Sequence, residues 1–302
     1  KFFRAKVTAT HDGEQGWRCT VRYDDGSEES DVELARVDSV EWSANVKGKK
    51  RAREKTGEID PMTEGFKTER KGAFLHVTID RADEGNRVTD PMLDGLASIT
   101  DEASLDDDLK GIVLRGAGDD FCHGRVQGTP PPEGPPKNAY EIHQRVMSRI
   151  LAVYAAFRRC PAPIIAVVQG KALGFGCALV GGADIAIASR DATFALTEMP
   201  HGTAPTLALS ALSHAAPKTL MDMVLTVEEH DAEHALAAGI VSRIVDQSEL
   251  EPTVARILDT LGGFDRTNIS TCKRFIQRGL SLDPDTMSDL AGYTLATVRS
   301  RG

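Results

Sequence analysis

The hydrophobic pattern changes character once along the chain. Up to about residue 40, apolar and polar positions alternate in short runs: FFRAKVTA, the turn HDGEQG, WRCTVRY, the turn DDGSEES, then VELARV. Alternation of this kind predicts half-buried strands, and Asp25-Gly26 between two such runs is a hairpin signal. Three strands in so few residues predict a small barrel or meander, too short to bury a large core alone. Residues 41–68, with KGKKRAREKTGE among them, are charged and lack apolar periodicity, as a solvated linker does. The same basic run also has the composition of a nuclear-import signal or a nucleic-acid patch.

Beyond about residue 70, apolar runs alternate with segments of helical period. Strands are expected at 73–80 (AFLHVTID), 111–118, 163–170, 184–189 and 192–196. A helix is expected at 90–104, with Pro91 in its first turn and Met92, Leu93, Leu96 and Ile99 on one face. Further helices are expected at 139–159 (stopped by Pro161), from about Gly176, and at 205–214, 218–226 and 231–239. A short extended segment at 240–245 and two C-terminal helical stretches, from about Leu250 and about Thr267, complete the chain. GTPPPEGPP at 128–136 reads as a surface loop. Apolar strands alternating with helices predict an α/β fold with covered parallel strands. The division expected is a small all-β unit over 1–40, a linker over 41–68 and an α/β domain over 69–302.

Composition narrows the class of function. With 302 residues, 41% hydrophobic and 27% charged, the chain has the make-up of an ordinary globular protein. A net charge of -9 disfavours nucleic-acid binding by the chain as a whole. Five dispersed cysteines (Cys19, Cys122, Cys160, Cys177, Cys272) fit a reducing intracellular compartment better than a disulfide framework, with cytoplasm favoured over nucleus. They show no paired metal-ligand spacing, so no metal is expected. No apolar run reaches the roughly 18 residues that a membrane span needs, so no membrane partner is expected.

One stretch asks for a chemical reason. In IIAVVQGKALGFGCALVGGADIAIA, Gly174, Gly176 and Gly181 fall at the mouth of an otherwise good helix. Each glycine there costs about 1 kcal/mol relative to Ala, which implies a close approach to the backbone.

From about Lys71 onward the chain resembles the crotonase family, the enoyl-CoA hydratase/isomerase superfamily. The resemblance is carried, in family order, by GNRVTDPML, GDDFCHGRV, CPAPIIAVVQGKALGFGCAL, ATFALTEMPHGTAP and DAEHALAAGIVSRIV. It implies a crotonase-type ββα spiral with C-terminal helices. It also implies an oxyanion hole in which two backbone N–H groups hold a thioester carbonyl as an enolate forms. Position by position these amides are those of Arg125, after Gly124, and Phe175, between Gly174 and Gly176, with the glycines giving the substrate room. Family hydratases use two carboxylates; here the first position is Ala178 and the second is Glu198. One base suffices to move a double bond, so the resemblance favours an isomerase with Glu198 as base. His123 and His201 are further pocket candidates. The substrate implied is an acyl-CoA, with no other cofactor, and the assembly implied is a homo-oligomer, a trimer or hexamer.

Some positions depart from the family. Arg81-Ala82-Asp83-Glu84 replaces a basic segment, and Val126 replaces an acidic residue. Acidic side chains near the nucleotide site would repel CoA phosphates, although Lys273 and Arg274 are candidates to meet them. Dehydration or decarboxylation of chains on an acyl carrier protein's phosphopantetheine arm is therefore an alternative. WRCTVRYDDGSEESDVELARV in turn resembles Tudor-like barrels, with Trp17, Tyr23 and Trp42 available for an aromatic cage. A non-enzymatic, histone-reading chromatin module is the alternative outside enzymology.

Overall fold

The computed structural model describes residues 5–13, 16–23 and 28–33 by backbone alone, and residues 64–126 and 136–300 in full. The chain divides between Gly57 and Glu58 into two compact units. In the first, β1 (Ala5–Gly13), β2 (Gly16–Tyr23) and β3 (Glu28–Glu33) form an antiparallel sheet in that order. The side chains of Trp17 and Tyr23, all of Trp42, most of the linker and all of the proline-rich loop except Pro136 lie outside the described residues.

The second unit opens with β4 (Phe66–Lys71), antiparallel to β5 (Phe74–Ile79). β4 begins inside the segment expected as linker. Its composition explains this: only Phe66 is buried, and Lys67, Glu69, Arg70 and Lys71 make a charged edge that deters pairing with another chain. Then follow α1 (Asp90–Ser104), β6 (Gly111–Gly116), α2 (Ala139–Ile142), a π-helical turn at His143–Met147 and α3 (Ser148–Arg159). Next come β7 (Ile164–Val168), β8 (Lys171–Leu173), α4 (Phe175–Gly182), β9 (Ile185–Ser189) and β10 (Thr193–Ala195). The chain continues through α5 (Thr206–Ala211), α6 (Pro217–Thr226), β11 (His230–Asp231), α7 (Ala232–Ala238) and β12 (Arg243–Val245). Three C-terminal helices rather than two complete it: α8 (Leu250–Gly262), α9 (Arg266–Gly279) and α10 (Pro284–Arg299).

The main sheet has the order β12-β9-β7-β6-β5-β4 and is parallel apart from its β4 edge. Both faces of its inner strands β6, β7 and β9 are buried, and the alternation along β7 shows how. Ile164, Ala166 and Val168 of β7 join the large core beneath α1, α3 and α4, whereas Ile165 and Val167 join a smaller one. The smaller core packs Val113 and Ile187 against Leu250 and Val254 of α8. Two-sided burial is why these strands read as unbroken apolar runs.

A second, three-stranded sheet, β11-β10-β8, positions the site. β8 runs straight into α4, and β10 runs into the turn that carries Glu198. A segment at 122–125 bridges this sheet to the chain before α1, pairing Cys122 with Ala172 and Arg125 with Val88.

Candidate active site

The 122–125 segment is pinned from both sides. Cys122 N–H donates to Lys171 O at 2.9 Å and its carbonyl accepts from Leu173 N–H at 2.8 Å. On the other side, Val88 N–H donates to Gly124 O and Val88 O accepts from Val126 N–H, both at 2.9 Å. In such a parallel bridge, the residue opposite Val88 turns its own N–H away. The Arg125 amide is therefore not spent on that ladder.

Glycines let the segment pack closely on β8 and α4. Gly124 has φ +93°, and a Cβ there would stand 3.3 Å from Leu173 O and 3.8 Å from Phe175 N. A Cβ on Gly176 would lie 2.2 Å from the carbonyl oxygen of Cys122, an impossible overlap. One on Gly181 would lie 2.2 Å from Leu212 Cδ2. Packing of α4 against its own protein thus by itself demands glycine at 176 and 181. Gly174, with φ +52°, supplies a turn that disfavours a side chain and starts α4 without a side-chain cap. The N–H groups of Phe175 and Gly176 open this helix, where no intrahelical acceptor exists.

Behind the 122–125 segment stands Asn86, wholly buried with φ 53°. Its Nδ2 donates to the carbonyls of Ala117 and Asp120, both at 2.8 Å, and its Oδ1 accepts from Arg81 N–H at 3.1 Å. It fixes the turn before Cys122. The sequence quoted this residue within a motif without giving it that task.

Glu198 comes next to the start of α4. A Cβ on Gly174 would be 3.2 Å from Glu198 Oε1, so the carboxylate lies against the entry to α4. Its Oε2 is buried with no hydrogen-bond partner. Burial is the leading cause that lifts its pKa above the ordinary glutamate range, opposed by a backbone hydrogen bond and the charge of His201. Ala178, at the first carboxylate position, is completely buried in the core.

Tyr154 of α3 is the residue that sequence reasoning missed. It is 2% exposed, and its ring stacks on Phe175 with centroids 6.0 Å apart and planes at 26°. Burial, and after it the charge of Glu198, hold its hydroxyl neutral far above the usual range. Glu198 also adds to the burial that pushes the Cys177 thiol up to about 12. Tyrosine on a helix reads as core, and nothing local signals that its ring supports the residue at the mouth of α4.

The side chains of the remaining candidates have partners or settings of their own. The His123 side chain is bound to Asp120, Nε2 to Oδ2 at 2.9 Å, and lies over Gly85. His201 is exposed on the short turn after Glu198, within electrostatic reach of it. Arg125 Nη2 donates to Asp90 Oδ1 at 2.5 Å, tying that side chain to α1. Lys273 is corrected as a phosphate ligand: it is buried, 2.7 Å from Asp184 Oδ2, and donates to the carbonyls of Phe157 and Ala162. Arg274 is exposed. Glu84 is paired with Arg81, which tempers the acidity of that segment.

Comparison with known proteins follows this geometry. Residues 69–290 match the family model for enoyl-CoA hydratase/isomerase. The enoyl-CoA hydratase domain-containing protein 3, mitochondrial, of Rattus norvegicus is 27% identical over 229 residues, covering 76% of this chain and 75% of that one. The short-chain-enoyl-CoA hydratase of Clostridium acetobutylicum is 29% identical over 224 residues, covering 72% and 83%. Among solved structures, human enoyl coenzyme A hydratase domain-containing protein 3 superposes with a TM-score of 0.71 at 26% identity, covering 77% of this chain and 91% of that one. The crotonase fold is thereby shown, and this chain belongs to the enoyl-CoA hydratase/isomerase family.

Proposed function

We propose that the chain shifts the double bond of an enoyl-CoA, using a single carboxylate. In this reading the amides of Arg125 and Phe175 receive the thioester oxygen, and donors preorganised for developing negative charge stabilise the enolate by several kcal/mol. Glu198 takes a proton from one carbon of the acyl chain and returns it to another.

The observation that carries the reading is the pairing of Glu198 with Ala178. A half-buried carboxylate with an orphaned oxygen lies at the entry to α4. The position at which a hydratase of this family would hold its second carboxylate is an alanine sealed in the core. The relatives above carry the name hydratase, so the test must separate the two reactions. Purified protein is assayed with a 3-enoyl-CoA for double-bond shift and with a 2-enoyl-CoA for water addition. Isomerisation should be the faster, and Glu198→Gln should lower it by about 10² to 10⁴-fold, the usual contribution of a general base. Hydration as fast as isomerisation in the wild type would overturn the one-carboxylate reading.

A further inference from the structure

A second group of chemically active side chains shares no residue with the thioester site. Asp222 on α6, His230 at the start of β11 and His234 in α7 each offer one donor atom, and the three atoms lie within 4.8 Å of one another. His230 Nε2 is 3.8 Å from Asp222 Oδ2. The two imidazoles face each other with centroids 4.3 Å apart and planes at 32°.

The second observation concerns what these nitrogens bind. Nε2 of His230 and Nε2 of His234 are both buried, and neither has a hydrogen-bond partner. His230 is only 8% exposed. Buried side-chain polar atoms are partnered in the large majority of cases. Two orphans on facing rings, beside a carboxylate, leave a gap shaped for an acceptor of nitrogen lone pairs.

Local structure holds the donors in place. His230 pairs with Phe194 in the β10–β11 ladder. Asp231 caps α7, its Oδ1 accepting from His234 N–H at 2.8 Å, which sets the first helical turn. In the sequence HDAEH, His230 ends up on the strand and His234 in the first turn of α7, so the strand-to-helix turn capped by Asp231 is what brings the two imidazoles together. Asp222 reaches in from α6 with its side chain 50% exposed, leaving a route from solvent.

We propose that Asp222, His230 and His234 bind a divalent transition-metal ion of the zinc class, clipping α6 to the β11–α7 junction. Two imidazoles and one carboxylate suit zinc, cobalt or nickel, whereas calcium and magnesium prefer oxygen donors. Tetrahedral zinc with bonds of about 2.0–2.2 Å sets neighbouring donors about 3.3–3.5 Å apart. The separations here are somewhat wider. Binding therefore draws the exposed Asp222 carboxylate inward, and a water completes the fourth position. Dispersed cysteines gave no hint of this site, and the His-x-x-x-His spacing was the signal in the sequence.

The full chain is stripped with a chelator and titrated with zinc chloride, following heat release and thermal midpoint. Cobalt chloride serves as a spectroscopic probe of ligand geometry. We expect one equivalent of zinc to bind and raise the midpoint, with cobalt giving the intense visible bands of a tetrahedral nitrogen–oxygen site. His234→Gln and Asp222→Asn, at half-buried and exposed positions that tolerate change, should each weaken binding at least tenfold and abolish the midpoint shift. No zinc uptake by the wild type would overturn the proposal, as would equal binding by the wild type and both variants. A shift with calcium or magnesium as large as that with zinc would overturn the assigned metal class.

Discussion

At the scale of single residues, Glu198 carries opposite consequences for activity and stability. Its folded-state pKa is raised, chiefly by burial. A carboxyl raised in this way favours the folded state below its unfolded value of about 4.3, and that contribution is lost as pH rises through the folded pKa. Glu198→Gln should therefore unfold at a higher temperature than wild type near pH 7, with the difference closing at about pH 4. Parallel thermal scans at the two pH values check this. In the proposed reaction activity runs the other way: the base form of Glu198 is needed, so the isomerisation rate should climb with pH through a midpoint above the ordinary glutamate range. Tyr154 sets a second expectation. Tyr154→Phe keeps the ring on Phe175 and should preserve stability to within about 1.5 kcal/mol, whereas Tyr154→Ala should cost about 3–5 kcal/mol, both measured by denaturant unfolding. The two residues differ in how far sequence could reach them. Glu198 stands in a motif whose spacing is its own signature. Tyr154 acts only because α3 crosses α4, a fact of tertiary packing that no local pattern encodes.

At the scale of elements, the site depends on contacts that leave no tolerance. Gly176→Ala would drive a Cβ into the Cys122 carbonyl. Backbone cannot swing aside as a side chain can, so α4 must move from the segment that carries Arg125. Overpacking of this kind costs about 1–3 kcal/mol. If the proposed donors act as argued, the drop in kcat should exceed what that loss of stability implies, because misplaced donors lose transition-state stabilisation that folding does not require. Steady-state kinetics beside urea unfolding separate the two. Lys273 acts as a clamp: from α9 it meets Asp184 before β9, the end of α3 at Phe157, and Ala162 before β7. Burial lifts the pKa of Asp184 while Lys273 opposes the lift. Lys273→Met would leave the carbonyls of Phe157 and Ala162 and the partly exposed Asp184 carboxylate without their buried donor and should cost about 1–3 kcal/mol, with part of it recovered by adding Asp184→Asn. Elements with strong periodicity were legible without a structure: α1 spans the expected 90–104, and β7 and β9 follow their apolar runs. Those missed are short or charged. β8 and β11 have three and two residues, too few for a period to register, and β4 is an edge whose charges conceal it. The missed pieces include β8 and β11, members of the small sheet next to the candidate site, so the family motif pointed to candidates that no element pattern offered.

At the scale of the whole molecule, the C-terminal helices leave apolar surface unaccounted for. α10 runs for 16 residues and buries none of them. Leu290 is 38% exposed, Tyr293 76% and Leu295 56%; Ile276 on α9, against which α10 packs, and Leu280 just after α9 are 61% and 63% exposed. Single exposed leucines are ordinary. A group of them on two packed helices is a larger matter, since contiguous apolar patches mark interaction surfaces. Helices gain most of their stability by burying an apolar face, which α10 does not achieve among the described residues. We propose that copies of the chain cover one another here, in the trimer or hexamer that the family resemblance implies. Sedimentation velocity at micromolar concentration should give three or six chain masses for the wild type. Introducing charge with Tyr293→Asp and Leu295→Asp, at positions already exposed and therefore cheap for the monomer, should shift the distribution toward single chains without loss of helix content. A wild type that sediments as one chain would remove the proposal, and so would a double variant that assembles as the wild type does.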